Sequence, residues 1–214
     1  MSEEIRKKAE YRSSLRSKTL IKKALLKLMK EKSFDSITIA EIVKKADINR
    51  GTFYAHFHST REVLEKIQDD MIHEIMTILE KYSADFIFEN PRPVFQAITD
   101  YLASDIEYAR LLFQVSGFAE YIGNHKSAIF SFFLHSTYGR RFIRDGREKE
   151  FILVVDFWMS AIIDVYYDAV LERVPFSIYE LPSLCCGIAD FTRLTWFEKL
   201  LSLDNAAAEP EKHN

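Results

Sequence analysis

Apolar residues in this chain recur at intervals of three and four nearly from end to end, and nowhere alternate regularly with polar ones. Such spacing places them on one side of an α-helix; a half-buried strand would need a period of two. From Leu15 to Lys32 the positions Leu20, Ile21, Ala24, Leu25, Leu28 and Met29 form one stripe, with lysines filling the other face. The Ser33–Ile37 stretch breaks that pattern. Thr38 then opens a short helix as a capping box, because Glu41 three residues on can reach back to the cap N–H. Ile39, Ile42, Val43 and Ala46 supply its buried side. Asp47-Ile48 is a turn, and Asn49 caps a third, very short helix carrying Arg50 to Phe57. Ser59 and Glu62 repeat the capping pattern and start a long helix with the stripe Leu64, Ile67, Met71, Ile75, Ile78 and Tyr82.

Beyond it, Asn90-Pro91-Arg92-Pro93 ends one region and starts a helix near Val94. Helical patterning then runs to about Ser136, interrupted near Ser104-Asp105 and Ser116-Gly117. Tyr138 to Gly146 reads as a basic loop. Two strongly apolar helices close the chain, roughly Glu150–Arg173 and Pro182–Leu203. Ser177 and Glu180 form another capping pair, but that start would put Pro182 inside the helix, where proline is poorly tolerated, so its beginning stays open. The polar stretches 1–13 and 204–214 read as a flexible basic arm and a frayed, disordered tail. The expectation is an all-α fold of about nine helices: a three-helix helix-turn-helix domain at 14–58, then a helical body at 59–203.

Composition sharpens this without redirecting it. Glycine (6) and proline (5) are scarce for 214 residues, which favours long helices over a turn-rich architecture. The two cysteines, Cys185 and Cys186, are neighbours and read as reduced thiols of a cytoplasmic protein. No leader pattern and no uninterrupted apolar run of about 18 residues is present, so no membrane partner is expected. The net charge of −3 hides an asymmetry: residues 1–66 carry a surplus of +7 and the remainder −10. A basic head on an acidic body suits a nucleic-acid binder with a separate second domain, although a solvated charge run could arise by chance.

The segment TIAEIVKKADINRGTFYAHFHSTREVL, residues 38–64, carries the chemistry. Two short capped helices joined by a tight turn can lay the second in a DNA major groove while the first crosses the backbone. Ile48, Phe53 and Phe57 supply core contacts, leaving Arg50, Gly51, Thr52, Ala55 and His56 outside. Arg50 can grip guanine O6 and N7 in two-pronged fashion, and Thr52 or Ala55 can touch a thymine methyl. Tyr54 and Thr38 suit phosphate oxygens. His56 has no second ligand at a suitable spacing, so neither a metal nor a cofactor is expected. No glycine-rich phosphate loop, HExxH or CxxC motif is present, which speaks against an enzyme.

Residues 16–66, and GTFYAHF at 51–57 most specifically, resemble the TetR family of bacterial regulators, in particular the branch common in Firmicutes. The resemblance implies DNA contacts at Thr38, Arg50, Gly51, Thr52, Tyr54 and His56. Where the family has a phosphate-gripping lysine at the start of the fourth helix this chain has Thr60, with Arg61 beside it as a possible replacement. Where the family has a glycine in the turn it has Asp47. Family architecture further implies a repressor, homodimeric through its last two helices, that leaves a palindromic double-stranded operator when a small molecule enters the body.

The residues of the body agree with that architecture. The segments at 151–171 and 184–201 are apolar nearly all round, so one face can serve the subunit and the other a partner, with Phe191 and Trp196 as interface candidates. Aromatic residues crowd the interior, either as ordinary core or as the lining of a site for a hydrophobic or planar ligand. Met71, Ile75, Phe113, Phe133, Trp158 and Asp164 are the candidates for that site. Asp156, Ser160, Asp164 and Asp168 share one polar stripe, which either faces solvent or borders the ligand. A DNA-binding protein controlled by a protein partner, with no ligand, remains the competing reading.

Overall fold

A computed structural model describes residues 2–115 and 117–192. Every regular element among them is helical, with no strand. The α-helices are α1 (Ser2–Met29), α2 (Ile39–Ala46), α3 (Arg50–Tyr54), α4 (Thr60–Glu80), α5 (Ala84–Glu89), α6 (Arg92–Ser104), α7 (Ile106–Phe113), α8 (Phe118–Leu134), α9 (Thr137–Arg144), α10 (Glu148–Val170) and α11 (Leu181–Thr192). Two 3-10 turns, Phe34–Ser36 and Ile178–Glu180, precede α2 and α11. The chain divides into two compact units, one of residues 1–74 and 107–118, the other of 75–106 and 119–214. The helix-turn-helix expected at 14–58 falls within the first, which also takes in the first turns of α4 and nearly all of α7.

The first unit closes around Ile21, Leu25, Ile42, Phe53, Val63, Leu64 and Leu112, all essentially without solvent exposure. Ile21, Leu25, Ile42, Phe53 and Leu64 are apolar positions marked from the sequence, and Val63 and Leu112 join them, so the burial of one face per helix drives assembly. Lys22 of α1 pairs with Asp70 of α4 at 2.5 Å, and the Tyr108 hydroxyl donates to the Ile67 carbonyl at 3.3 Å, tying α7 to α4. Residues 2–13, expected as a flexible arm, are helical in this structure and continue α1 outward. Extending an existing helix costs no nucleation, and the Arg6–Glu10 pair at 3.1 Å, four residues apart, supports the added turns.

In the second unit Phe142, Phe151, Val154, Val155 and Met159 form one buried cluster, and Leu79, Ile87 and Val94 another. A polar node sits inside: the Tyr166 hydroxyl donates to the Phe95 carbonyl at 3.0 Å and lies 2.9 Å from the Thr99 hydroxyl. One local expectation is corrected here and two points left open are filled in. The basic loop at 138–146 is the amphipathic helix α9, whose N-cap Ser136 accepts the Gly139 N–H at 2.9 Å while Phe142 is buried. A short helix, α5, intervenes before the proline pair, capped by Ser83, whose hydroxyl accepts the Phe86 N–H at 3.1 Å. The Ser177–Glu180 box caps a 3-10 turn instead of the long helix, so Pro182 lies in the first turn of α11, where a missing N–H costs nothing. These additions bring the described α-helices above the nine expected.

Candidate nucleic-acid interface

Thr38 holds the start of α2 through a reciprocal box. Its hydroxyl accepts the Glu41 N–H at 3.4 Å, and the Glu41 carboxylate accepts both the Thr38 N–H at 2.9 Å and the Thr38 hydroxyl at 2.8 Å. Lys32 adds an ion pair to the same carboxylate at 2.6 Å. That Lys32 bond, then the Thr38 N–H and hydroxyl, hold the Glu41 carboxyl down at about 2. Lys45 of α2 reaches back to Glu31 at 2.6 Å, so two ion pairs pin α2 to the segment that follows α1. Asp47 ends α2 in the left-handed region, with φ 53 and ψ 51, the conformation that a glycine would adopt there without strain.

Asn49 then caps α3. Its Oδ1 accepts the Thr52 N–H at 2.7 Å and the Thr52 hydroxyl at 3.1 Å. A Cβ on Gly51 would sit 3.2 Å from that same oxygen, so glycine leaves the cap room to close. Phe53 and Phe57 are buried and hold the inner side of the helix. Arg50 and Gly51 are exposed, Thr52 and His56 half-buried. Tyr54 is 50% exposed and stands edge-on to Phe53, with ring centroids 5.6 Å apart. Arg50 makes no hydrogen bond or ion pair among the described residues, so its guanidinium fork is unspent. The hydroxyls of Thr38 and Thr52 already donate within the domain, and a phosphate would compete with Glu41 or Asn49 for them.

At the start of α4 the Ser59 hydroxyl accepts the Glu62 N–H at 3.0 Å, while Glu62 returns to the His58 N–H at 2.5 Å, one residue earlier than a strict capping box. Thr60 is half-buried and Arg61 exposed. The Arg61 guanidinium lies over the Phe34 ring, 4.9 Å from its centroid. Stacking occupies the flat face of the cation and leaves its N–H edge able to meet a phosphate. Phe34 was not singled out from the sequence. It lies far from Arg61 along the chain, and only the fold brings the two together.

The candidate ligand residues do not converge within one unit. Met71 and Phe113 belong to the first, both buried, with Phe113 stacked on Phe118 at 4.6 Å. Ile75, Phe133, Trp158 and Asp164 belong to the second, where Phe133 and Trp158 pack against the Phe142–Phe151 cluster and Asp164 is exposed. The second unit does hold an open cleft of about 720 Å³, lined by other residues: Met76, Glu80, Ala84, Asp85, Phe132, His135 and Arg140 among them. Of the polar stripe on α10, Asp156 lies 3.7 Å from Lys126 and Ser160 2.7 Å from it, while Asp168 pairs with Arg173 at 3.7 Å. Of the candidate interface residues, Trp196 lies outside the described residues, as does the side chain of Phe191. The last two described helices expose other apolar side chains: Leu153 and Phe157 on α10, Leu184 and Ile188 on α11.

Among the described residues no group of three or more His, Cys, Asp or Glu is placed to hold a metal ion, and no helix is long and apolar enough to cross a membrane. Residues 21–67, which span the packed half of α1, all of α2 and α3 and the first turns of α4, match the model of the bacterial regulatory proteins, tetR family. A Bacillus subtilis (strain 168) protein named uncharacterized HTH-type transcriptional regulator YxbF is 35% identical over 51 residues. That match covers 24% of this chain and 13% of the relative. The family match spans the capped helix pair that presents Arg50. It is through residues 21–67 that the chain is similar to the bacterial regulatory proteins of the tetR family.

Proposed function

We propose that the chain is a sequence-specific transcriptional regulator that binds a palindromic double-stranded operator as a homodimer, and a repressor that a small hydrophobic or planar ligand releases. The observation that carries the DNA reading is Arg50, exposed and unpaired at the start of a capped helix whose inner side is locked by Phe53 and Phe57. In a major groove that guanidinium reads guanine, and Tyr54, Arg61 and the N–H groups at the helix starts take phosphates. Homodimer formation is supported by the exposed apolar pairs Leu153–Phe157 and Leu184–Ile188, each spaced four apart on one helix face.

The ligand belongs to the second unit, and the cleft at Met76 and Phe132 is the space that supports it. Its volume lies within the usual range for small-molecule sites, and it joins apolar surface to Glu80, Asp85 and Arg140. Met76 and Glu80 are in the last turns of α4, the helix that starts beside Arg61, so a ligand there acts on an element that reaches the DNA-binding unit.

The test uses a duplex selected from a random pool by the wild-type protein. Arg50→Ala weakens binding to it by about 1–3 kcal/mol and relaxes preference at one position of each half-site. Equal binding by the two proteins in gel-shift titrations would overturn this docking. A thermal-shift screen of planar hydrophobic compounds that yields neither a shift nor release of the duplex would replace the ligand with a protein partner.

A further inference from the structure

Among the residues whose burial is described, the first buried position of α1 is Ile21, although the helix starts at Ser2. The outer turns therefore cover no core of their own unit. Lys8, Arg12, Arg16, Lys23 and Lys27 follow one another at intervals of four and seven, and all five are exposed. At 3.6 residues per turn they fall within roughly 100° of arc, opposite the buried face of Ile21, Leu25 and Leu28, and run for roughly 28 Å along the axis. Glu10 lies across the helix from this stripe and is paired with Arg6. None of the five basic residues makes an ion pair or hydrogen bond among the described residues.

We infer that this face of α1 is a second nucleic-acid contact, a line of cations that follows the phosphates of duplex DNA beyond the helix-turn-helix without reading bases. The inference rests on the DNA-binding reading above and extends it to a face of α1 on which Lys8, Arg12 and Arg16 precede the matched segment at 21–67. Two observations select the occupant. The stripe is charged along its whole length, as a duplex is, with one negative charge per roughly 1.7 Å of axis. It is also continuous with the domain that presents Arg50, because the packed half of α1 lies directly on α2 and α3. An anionic membrane fits less well. Ile5, Tyr11, Leu15 and Leu20 are exposed but spread over roughly half the circumference and interleaved with the basic stripe, so no separate apolar face exists to enter a bilayer.

The full chain is titrated, by fluorescence anisotropy, against the selected duplex and a scrambled one over a range of salt. The triple variant Lys8→Gln/Arg12→Gln/Arg16→Gln should lose about tenfold or more in affinity on both duplexes. Its slope of log affinity against log salt should become less negative by roughly 2 to 3, since each phosphate contact contributes roughly 0.9. The charge-preserving variant Arg12→Lys/Arg16→Lys should keep the wild-type slope, and circular dichroism should show equal helicity throughout. An unchanged slope in the triple variant, with Arg50→Ala still impaired, sinks the stripe and leaves the helix-turn-helix reading intact. Failure of wild type to bind any duplex sinks both. Loss in the charge-preserving variant, or stripe-dependent binding to vesicles of anionic lipid in place of DNA, also overturns the inference.

Discussion

Thr38 and Glu41 illustrate how much of this domain is written at the scale of single residues. A cap is a bond between positions three apart, so the string Thr-x-x-Glu is enough to expect it, and Asn49 and Ser59 were legible for the same reason. The left-handed turn at Asp47 was open to the same local reading, because few side chains other than glycine, asparagine and aspartate tolerate it. The stacking of Arg61 on Phe34 was not, since it depends on where α4 starts relative to the 3-10 turn. The cap also yields a pH prediction. The Glu41 carboxyl is held near 2 in the folded chain, below its ordinary 4.5, so its contribution to stability is fully present above that value. It is lost as pH falls from about 4.5 through 2. The melting temperature of wild type should exceed that of Glu41→Gln at pH 7, and the gap should shrink steadily below pH 4.5. A gap that stayed constant down to about pH 2.5 would remove the charged form of Glu41 from the account.

Elements were legible where a single apolar stripe faced a single core, and less so where another signal masked it. The segment TYGRRFIR has a glycine and a run of arginines, which reads as a loop, yet Arg140 and Arg144 ride the outer face of α9 and Arg141 is half-buried, while Gly139 and Phe142 face inward. Gly139 is required by contact, not by flexibility: an added Cβ would run into the backbone of Leu134. Gly139→Ala should destabilise the protein by about 1–3 kcal/mol, the usual cost of overpacking against atoms that cannot move aside. Gly123, in α8, has open space where its Cβ would go, and Gly123→Ala should stabilise by about 0.5–1 kcal/mol through helix propensity alone. Urea titrations of the two variants should move in opposite directions. If both destabilised equally, the packing attributed to α9 would be wrong.

At the scale of the molecule, helices that are apolar all round announce that they have two partners but do not say which face goes to which. The expectation of a subunit contact on the last two helices therefore could not choose among their side chains; Phe191 and Trp196 were as good as any. The structure of the second unit makes the choice physical. On α10, Phe151, Val154, Val155 and Met159 are consumed by the core, and Leu153 and Phe157 remain 63% and 70% exposed. On α11, Leu181 and Cys185 are buried, while Leu184 and Ile188 remain outside. Exposed aromatic and aliphatic residues at one helical spacing are costly in water unless a partner covers them, and a second copy brings the same pair to its own axis. A carboxylate placed at the centre of such a contact loses its water and gains no cation, a penalty of several kcal/mol per subunit. The wild-type protein should sediment as the proposed dimer, and Phe157→Glu and Ile188→Glu should each convert it to monomer in sedimentation velocity, with helicity retained. Binding to the selected duplex should fall with them, because two half-sites joined by one dimer profit from a local concentration that separate monomers lack. If both variants sediment as wild type does, these faces are covered by something other than a second copy, and the subunit contact of the proposed dimer must be sought elsewhere in the chain.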